Sequence, residues 1–161
     1  MDIKTNWKEI RMHFSKSFKS SLHVSIASVN ADNNPTVTPI GSLFLNDDQT
    51  RFYFEKFPTK LPINVSLNPN VCVLGVNSSK WFWVKFLYKE KFSNTPAMKL
   101  YGTLGEKRKA TEGENRALKR RMRSTNTLKG HTYLWGKIDL VREINFTKVE
   151  KINLGKMTAK L

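Results

Sequence analysis

Apolar residues recur every three or four positions near the start of the chain. Trp7, Ile10, Phe14 and Phe18 follow this spacing, which places all four side chains on one face of a helix. The pattern therefore predicts an amphipathic helix over residues 6–18, with its apolar face turned toward a core.

Alternating apolar and polar residues dominate the rest of the chain. The alternation predicts strands over 22–26, 37–45, 51–56, 97–104 and 133–146, the last as one long strand or a bent pair. The apolar run 71–76 predicts a strand that is buried on both faces, and the run 81–88 predicts a strand with aromatic residues on both faces. Turn-forming residues at 32–35 and 46–49 separate the first three strands, which indicates an antiparallel meander. Six or seven strands joined by short turns are typical of a mainly β protein, either a sandwich or a β-barrel with peripheral helices.

Two further helices are predicted at the margins of this β region. A helix over 59–67 has to end before Asn68–Pro69, because the residue before a proline avoids helical angles. Thr111 and Glu114 have the spacing of a capping box, which predicts the start of a helix over 111–123.

Length and composition favour a single folded domain. A chain of 161 residues with 39% apolar residues buries about 70% of the surface of its unfolded state. We expect one domain over 1–161, made of the helix 6–18, a barrel core 20–104, the basic helix 111–123 and a C-terminal strand region 133–154.

The chain is strongly basic. It has 28 Lys and Arg residues against 13 Asp and Glu residues, a formal charge of +15. This charge favours anionic partners such as nucleic acids, phosphorylated cofactors or acidic membranes, without selecting one of them. The basic run 107–123 is typical of a solvated surface helix, and steering of an anionic partner is its functional alternative.

Several kinds of site are excluded or disfavoured. Cys72 is the only cysteine, which rules out an intramolecular disulfide and a cysteine-based zinc site. His13, His23 and His131 form no pair at ligand spacing, so no metal site is predicted. The sequence has no nucleophile elbow, Walker A motif or dinucleotide fingerprint. No apolar run reaches the length of a membrane span, so we expect a cytoplasmic protein with no membrane partner.

The segment 54–60 has the properties of a phosphate site. A strand ends there, a short loop follows, and a helix begins with Thr59 and Lys60 in its first turn. The start of a helix offers free backbone N–H groups and positive dipole ends, to which a hydroxyl and an ammonium group would add. The alternative interpretation is a capped helix with a solvated lysine.

The segment 38–42 is unusual for a strand. Pro39 cannot donate a ladder hydrogen bond, and Gly41 has no side chain. Such a strand is either an edge strand or a place where a ligand approaches the backbone closely.

These residues together resemble a known family. The segments HVSIASVNADNNPTVTPIGSLFLNDDQTRFYFEKFPTK and LPINVSLNPNVCVLGVNS are similar to the core of the pyridoxamine 5′-phosphate oxidase-like flavoproteins, in the order of turn, PIGS strand, aromatic strand, Lys60 and Asn68–Pro69. The resemblance covers roughly residues 20–80. It implies an antiparallel FMN-binding split barrel that works as a homodimer, with the flavin near the subunit interface.

The resemblance also implies site residues. It places Thr38, Pro39, Ile40, Gly41 and Ser42 beside the flavin ring and ribityl chain, Phe54, Glu55 and Lys56 over the ribityl side, and Thr59 and Lys60 at the phosphate, with Asn64 one helical turn further on. The arginine-rich substrate signature of the true oxidase is missing near the C-terminus. Residues 80–96 resemble an insertion, in which Trp81 and Trp83 would share one strand face at a dimer interface or a ligand site.

The sequence thus favours an FMN-dependent oxidoreductase of unknown substrate, and the missing signature argues against pyridoxamine phosphate as that substrate. No side chain stands out as a general acid or base, so no catalytic residue is predicted. The alternatives are a split-barrel relative that binds haem or a deazaflavin, a protein that stores or senses flavin without turnover, and a non-enzymatic basic domain that binds nucleic acid.

Overall fold

Seven strands pair into one antiparallel sheet in the computed structural model, which describes residues 1–161. The strands are β1 (Val24–Val29), β2 (Pro35–Ile40), β3 (Leu43–Leu45), β4 (Arg51–Phe54), β5 (Asn70–Val76), β6 (Ala97–Lys109) and β7 (Leu140–Lys151). Their spatial order is β2-β1-β5-β6-β7-β4-β3, so β2 and β3 follow each other in the chain yet form the two opposite edges of the sheet.

Five α-helices and two 3-10 turns accompany the sheet. They are α1 (Trp7–Ser21), α2 (Lys60–Leu67), α3 (Lys80–Tyr88), α4 (Glu112–Arg121) and α5 (Lys129–Trp135), with 3-10 turns at Arg123–Thr125 and Gly155–Met157. None of these helices has the length and apolarity needed to cross a bilayer.

The sheet curls around one main core. Every strand contributes at least one buried residue to a single apolar cluster, among them Val24, Ile40, Leu43, Tyr53, Val73, Leu100 and Ile144. A flat sheet could not bring its two edge strands into one cluster, so the curled sheet is a barrel that stays open between β2 and β3. The predicted antiparallel barrel of six or seven strands with peripheral helices is confirmed, and it has seven strands.

Helix α1 packs against this core as its periodicity predicts. Trp7, Ile10 and Phe14 are buried in the main cluster. The Phe14 ring lies so close to β5 that a Cβ atom on Gly75 would come within 2.8 Å of it. Because Gly75 has no side chain, α1 and β5 can pack this closely.

A second apolar cluster covers the opposite face of β3, β4 and β7. It consists of Phe44, Phe52, Phe54, Leu118, Met122, Ile138 and Val141, and α4 supplies its outer wall. Because Tyr53 faces the main core while its two neighbours face this cluster, β4 is buried on both sides. The predicted capping box of α4 is present, with Thr111 and Glu114 each bonded to the other's backbone.

The strand prediction for 81–88 is wrong, because these residues form α3. A continuous aromatic run fits a buried helix as well as a strand, and tertiary packing decides between them. Phe82 and Phe86, four residues apart, pack against Phe92, and Trp83 Nε1 donates to the Asn77 carbonyl at 2.7 Å. Trp81 is 84% exposed, so it shares no strand face with Trp83.

Three smaller predictions are also corrected. The start of 133–146 belongs to α5, and the strand begins only at Leu140. Leu22 is the left-handed cap of α1 and is exposed, rather than the first inward residue of a strand. The segment 71–76 is buried on one face only, which leaves Cys72 half-buried.

Candidate functional site

The predicted strand 37–45 breaks at Gly41 and Ser42, where the chain passes from one sheet edge to the other. The buried Ser42 hydroxyl donates to the Phe54 carbonyl at 2.9 Å and accepts from the Phe54 N–H at 3.2 Å. These two bonds fix the β2–β3 junction against the end of β4. Two of the segments that the sequence assigns to one site are therefore in contact.

A pocket of about 110 Å³, which we call the Gly41 pocket, lies at this junction. Its lining contains six of the predicted site residues, namely Pro39, Ile40, Gly41, Ser42, Phe54 and Lys56. It also contains residues that sequence reasoning missed, namely Phe57, Pro58, Leu134, Trp135 and Ile138. The last three come from α5 and the loop after it, a region far along the chain with no local sequence signal for this contact.

The indole of Trp135 lies against the backbone of Gly41. A Cβ atom on Gly41 would come within 3.2 Å of the indole ring. Within this chain the indole of Trp135 fills the space beside Gly41, and β2 is an edge strand of the sheet, as the other interpretation of the segment 38–42 predicts.

Lys56 holds α5 in place over the pocket. Its ammonium donates to the Tyr133 carbonyl at 2.6 Å and to the Gly136 carbonyl at 2.9 Å. The same ammonium lies 5.0 Å from the centroid of the Phe57 ring and 5.9 Å from that of Tyr133. Lys56 thus lines the predicted site, and its charge is used to fix the end of α5.

Glu55 points away from this pocket into a buried ion network. Its carboxylate accepts from Arg142 and from the Tyr53 hydroxyl at 2.8 and 2.6 Å, and pairs with Lys107 at 2.8 Å. Burial opposes ionisation, but the hydrogen bonds from Arg142, Lys107 and Tyr53 outweigh it and lower the pKa of Glu55 to about 2. The carboxylate is therefore ionised and saturated by its own chain.

The start of α2 carries no cap. The Thr59 hydroxyl accepts no hydrogen bond from the helix, and the first turn has no acidic residue. Lys60 is exposed, and the salt bridges of the chain do not include it. The alternative interpretation, a helix capped by Thr59, is thus wrong, and the N–H groups of the first turn lack a side-chain acceptor. Pro58, directly before Thr59, lines the pocket.

Asn64 has a structural role in this chain. It is buried, and its amide nitrogen donates to Ser28 Oγ at 2.9 Å and to Thr36 Oγ1 at 2.8 Å. These bonds hold α2 against β1 and β2 and use both amide hydrogens. Thr38 faces the same side of β2 as Thr36 and does not line the pocket.

The phosphate end of the site fits a flavin mononucleotide, while the ring end fits it only in part. An uncapped helix start with a free lysine matches a phosphate group. A pocket of about 110 Å³ is smaller than the ~300–1,000 Å³ of ordinary ligand sites. A flavin ring therefore needs walls from outside this chain or a displacement of α5.

No metal centre competes with this site. The structure brings no three His, Cys, Asp or Glu side chains together in a way that could hold an ion. His13 is buried, and its Nε2 lies 2.8 Å from the Gly75 carbonyl oxygen. Burial lowers the pKa of His13, so it is a neutral core residue.

No model of a known protein family matches the chain, and no curated protein matches it. Solved structures do match. HupZ of Group A Streptococcus superposes with a TM-score of 0.58 at 17% identity, over 89% of this chain and 94% of that chain. An FMN-binding protein of Syntrophomonas wolfei superposes with a TM-score of 0.56 at 15% identity, over 96% of this chain and 97% of that chain.

HutZ, a heme storage protein of Vibrio cholerae, gives a TM-score of 0.54 at 11% identity, over 94% of this chain and 95% of that chain. These matches span nearly the whole of each neighbour. At such identities they establish the architecture, which is the split barrel expected from the resemblance in residues 20–80.

Proposed function

We propose that this protein binds FMN at the β2–β3 junction, and that it acts as a flavin-dependent oxidoreductase in the form of a homodimer. The observation that supports this most strongly is the uncapped, unpaired start of α2 directly beside the Gly41 pocket. The Syntrophomonas wolfei neighbour, described as FMN-binding, supports the same cofactor for this fold.

The phosphate of FMN would bind at the first turn of α2. The N–H groups of Lys60 and Leu61 precede the first intrahelical hydrogen bond and have no acceptor inside the helix, whereas Pro62 has no N–H to satisfy. The Lys60 ammonium and the Thr59 hydroxyl add a charge and a donor. A dianionic phosphate would satisfy these groups together, and the helix dipole would favour it further.

The flavin ring would lie against the backbone of Gly41. Pro39 and Phe54 form apolar walls there, and Trp135 covers the glycine in this chain. The bound flavin would carry electrons between a donor and an acceptor. The residues of the chain would position the ring and keep water from it.

A second copy of the chain would complete the ring site. The outer face of β2, β1 and β5 carries the paired residues Val37, Ala27 and Cys72, all exposed or half-exposed. Val37 is 66% exposed. Pro39 lies in the same outer row of β2 and also lines the pocket, so a partner on this face would reach the site.

We base the homodimer on this sheet face rather than on Trp81 and Trp83, because those residues lie on a helix and not on the strand that the sequence predicts. An edge strand with exposed apolar residues is unusual in a monomer, because such edges invite pairing with another chain. Dimerisation would cover the exposed apolar residues of β2.

The first test is retention of ligand by the purified protein. Protein incubated with FMN, passed through a desalting column and measured by absorbance should keep the flavin bands. Parallel samples receive haem, because HutZ is described as a heme storage protein, and a deazaflavin. Retention of haem or deazaflavin with loss of FMN would replace this proposal, and loss of all three would remove it.

A further inference from the structure

A second cavity, separate from the Gly41 pocket, lies between α1 and β3. It has a volume of about 410 Å³ and is lined by Arg11, Phe14, Ser15, Phe18, Lys19, Val24, Leu43, Leu45 and Arg121. It shares no residue with the lining of the Gly41 pocket. Its volume falls in the ~300–1,000 Å³ range of small-molecule sites. We call it the α1–β3 groove.

The charges along this groove are all positive. Its lining contains three cationic side chains and no carboxylate. Arg11 is neutralised from outside the groove, because it forms a salt bridge with Asp47 and donates to the Leu45 carbonyl. Lys19 and Arg121 take part in none of the chain's salt bridges.

Arg121 is the least compensated of these cations. Its guanidinium lies 3.5 Å from the centroid of the Phe44 ring and 5.0 Å from that of Phe18, and it donates to the Leu43 carbonyl. A guanidinium has several further N–H donors. Its removal from water, with no carboxylate beside it, lowers the pKa of Arg121 to about 10. Arginines in such surroundings are ordinarily paired with an acid.

The rest of the groove is apolar. Phe14, Val24 and Leu43 are buried residues of the main core, and Leu45 and Phe18 are partly buried beside them. A free inorganic anion would leave these walls without a partner. An anion that carries an apolar body would use both the walls and the cation.

We propose that the α1–β3 groove binds an organic monocarboxylate with an apolar body, whose carboxylate pairs with Arg121 while its hydrocarbon part packs on Phe14, Val24 and Leu43. Planar guanidinium and carboxylate groups form paired hydrogen bonds, which favours this anion at Arg121. Lys19, at the exposed rim, adds a second cation.

The test is calorimetric titration of the full chain with octanoate and with octanol. Octanoate should bind to the wild type, and octanol, which has the same apolar body without the charge, should bind at least tenfold more weakly. Arg121→Met should weaken octanoate binding by roughly ten- to a hundredfold, since a hydrogen bond to a charged group is lost. Arg120→Met is the matched control, because Arg120 is the exposed neighbour on the same helix, and it should bind octanoate like the wild type.

A second variant covers the case in which Arg121→Met does not fold. Arg121→Lys keeps the charge without the planar fork, and it should retain octanoate binding with a loss smaller than that of Arg121→Met. Equal binding of octanoate and octanol, equal affinity in the Arg120 and Arg121 variants, or no heat at millimolar octanoate would each overturn the proposal. In that case Arg121 serves only to stack on Phe44 and Phe18. None of these outcomes depends on FMN binding.

Discussion

Glu55 shows how a residue singled out for cofactor binding can serve the fold instead. Its partners Lys107 and Arg142 come from β6 and β7, so its carboxylate ties β4 to two strands distant in sequence. The sequence gives no local sign of these pairings. In contrast, Gly41 and Lys60 could be singled out from their neighbours alone, because a strand break and a helix start are local features. Trp135 could not, since it contacts Gly41 from a helix far along the chain.

The Glu55 network makes stability depend on acid pH. Because its folded pKa of about 2 lies below the ordinary value of 4.5, the carboxylate stabilises the fold fully above pH 4.5. That contribution, about 3 kcal/mol, is lost as the pH falls toward 2. Glu55→Gln should therefore lower the free energy of unfolding by about 3 kcal/mol at pH 7, as measured by urea denaturation.

Urea denaturation of both proteins at low pH tests whether the charge of Glu55 is the cause of this difference. The difference in unfolding free energy between wild type and Glu55→Gln should shrink to about 0.5 kcal/mol at pH 2, where Glu55 is half protonated. Glu112→Gln is the control, because the Glu112 side chain is 93% exposed and its pairing with Arg116 is a surface one. A gap that stays constant between pH 7 and pH 2 would show that the charge of Glu55 does not stabilise the fold.

Helices that carry their own start and stop signals were predictable, and helices defined by packing were not. The periodicity of α1, the capping box of α4 and the proline that ends α2 are all local. The aromatic run of α3 offers no such signal, since apolar residues occupy every face. Its helical state follows from its packing on Phe92, which the sequence alone does not reveal.

The docking of α1 on β5 has a specific requirement at Gly75. Gly75→Ala would place a Cβ atom 2.8 Å from the Phe14 ring, which should cost about 1–3 kcal/mol of unfolding free energy through overpacking. Gly130→Ala is the matched control, because nothing lies within 4 Å of that position, and its stability should not fall. If thermal denaturation ranks the two variants equally, the contact between α1 and β5 does not have this geometry.

For the sheet as a unit, the sequence predicts hairpins but not the order in which they join. The neighbouring pairs β1–β2 and β3–β4 follow from short turns. The insertion of β7 between β6 and β4 requires pairing over long sequence separations, and no pattern within one segment specifies it.

This order leaves the outer face of β2, β1 and β5 as the proposed dimer surface. Val37→Asp would bury an unpaired charge there and should raise the dimer dissociation constant at least about a hundredfold, measured by analytical ultracentrifugation. Val84→Asp on α3 is the control, since Val84 is 57% exposed against 66% for Val37. A wild type that stays monomeric at micromolar concentration, or a dimer lost only in the Val84 variant, would refute this surface.

The start of α2 is the proposed binding site of the FMN phosphate, and the ratio of FMN to riboflavin affinity in Lys60→Ala is the sharpest test of this role. Riboflavin lacks the phosphate, so it reports on the ring site alone. Lys80→Ala is the matched control, because Lys80 is also an exposed lysine at the first position of an uncapped helix.

Fluorescence titration of both ligands should show FMN affinity falling by roughly ten- to a hundredfold in Lys60→Ala, the loss of one charge-assisted contact. Riboflavin affinity should stay unchanged in that variant, and Lys80→Ala should retain the wild-type ratio. An FMN-to-riboflavin affinity ratio in Lys60→Ala equal to that of the wild type would show that Lys60 does not bind the phosphate.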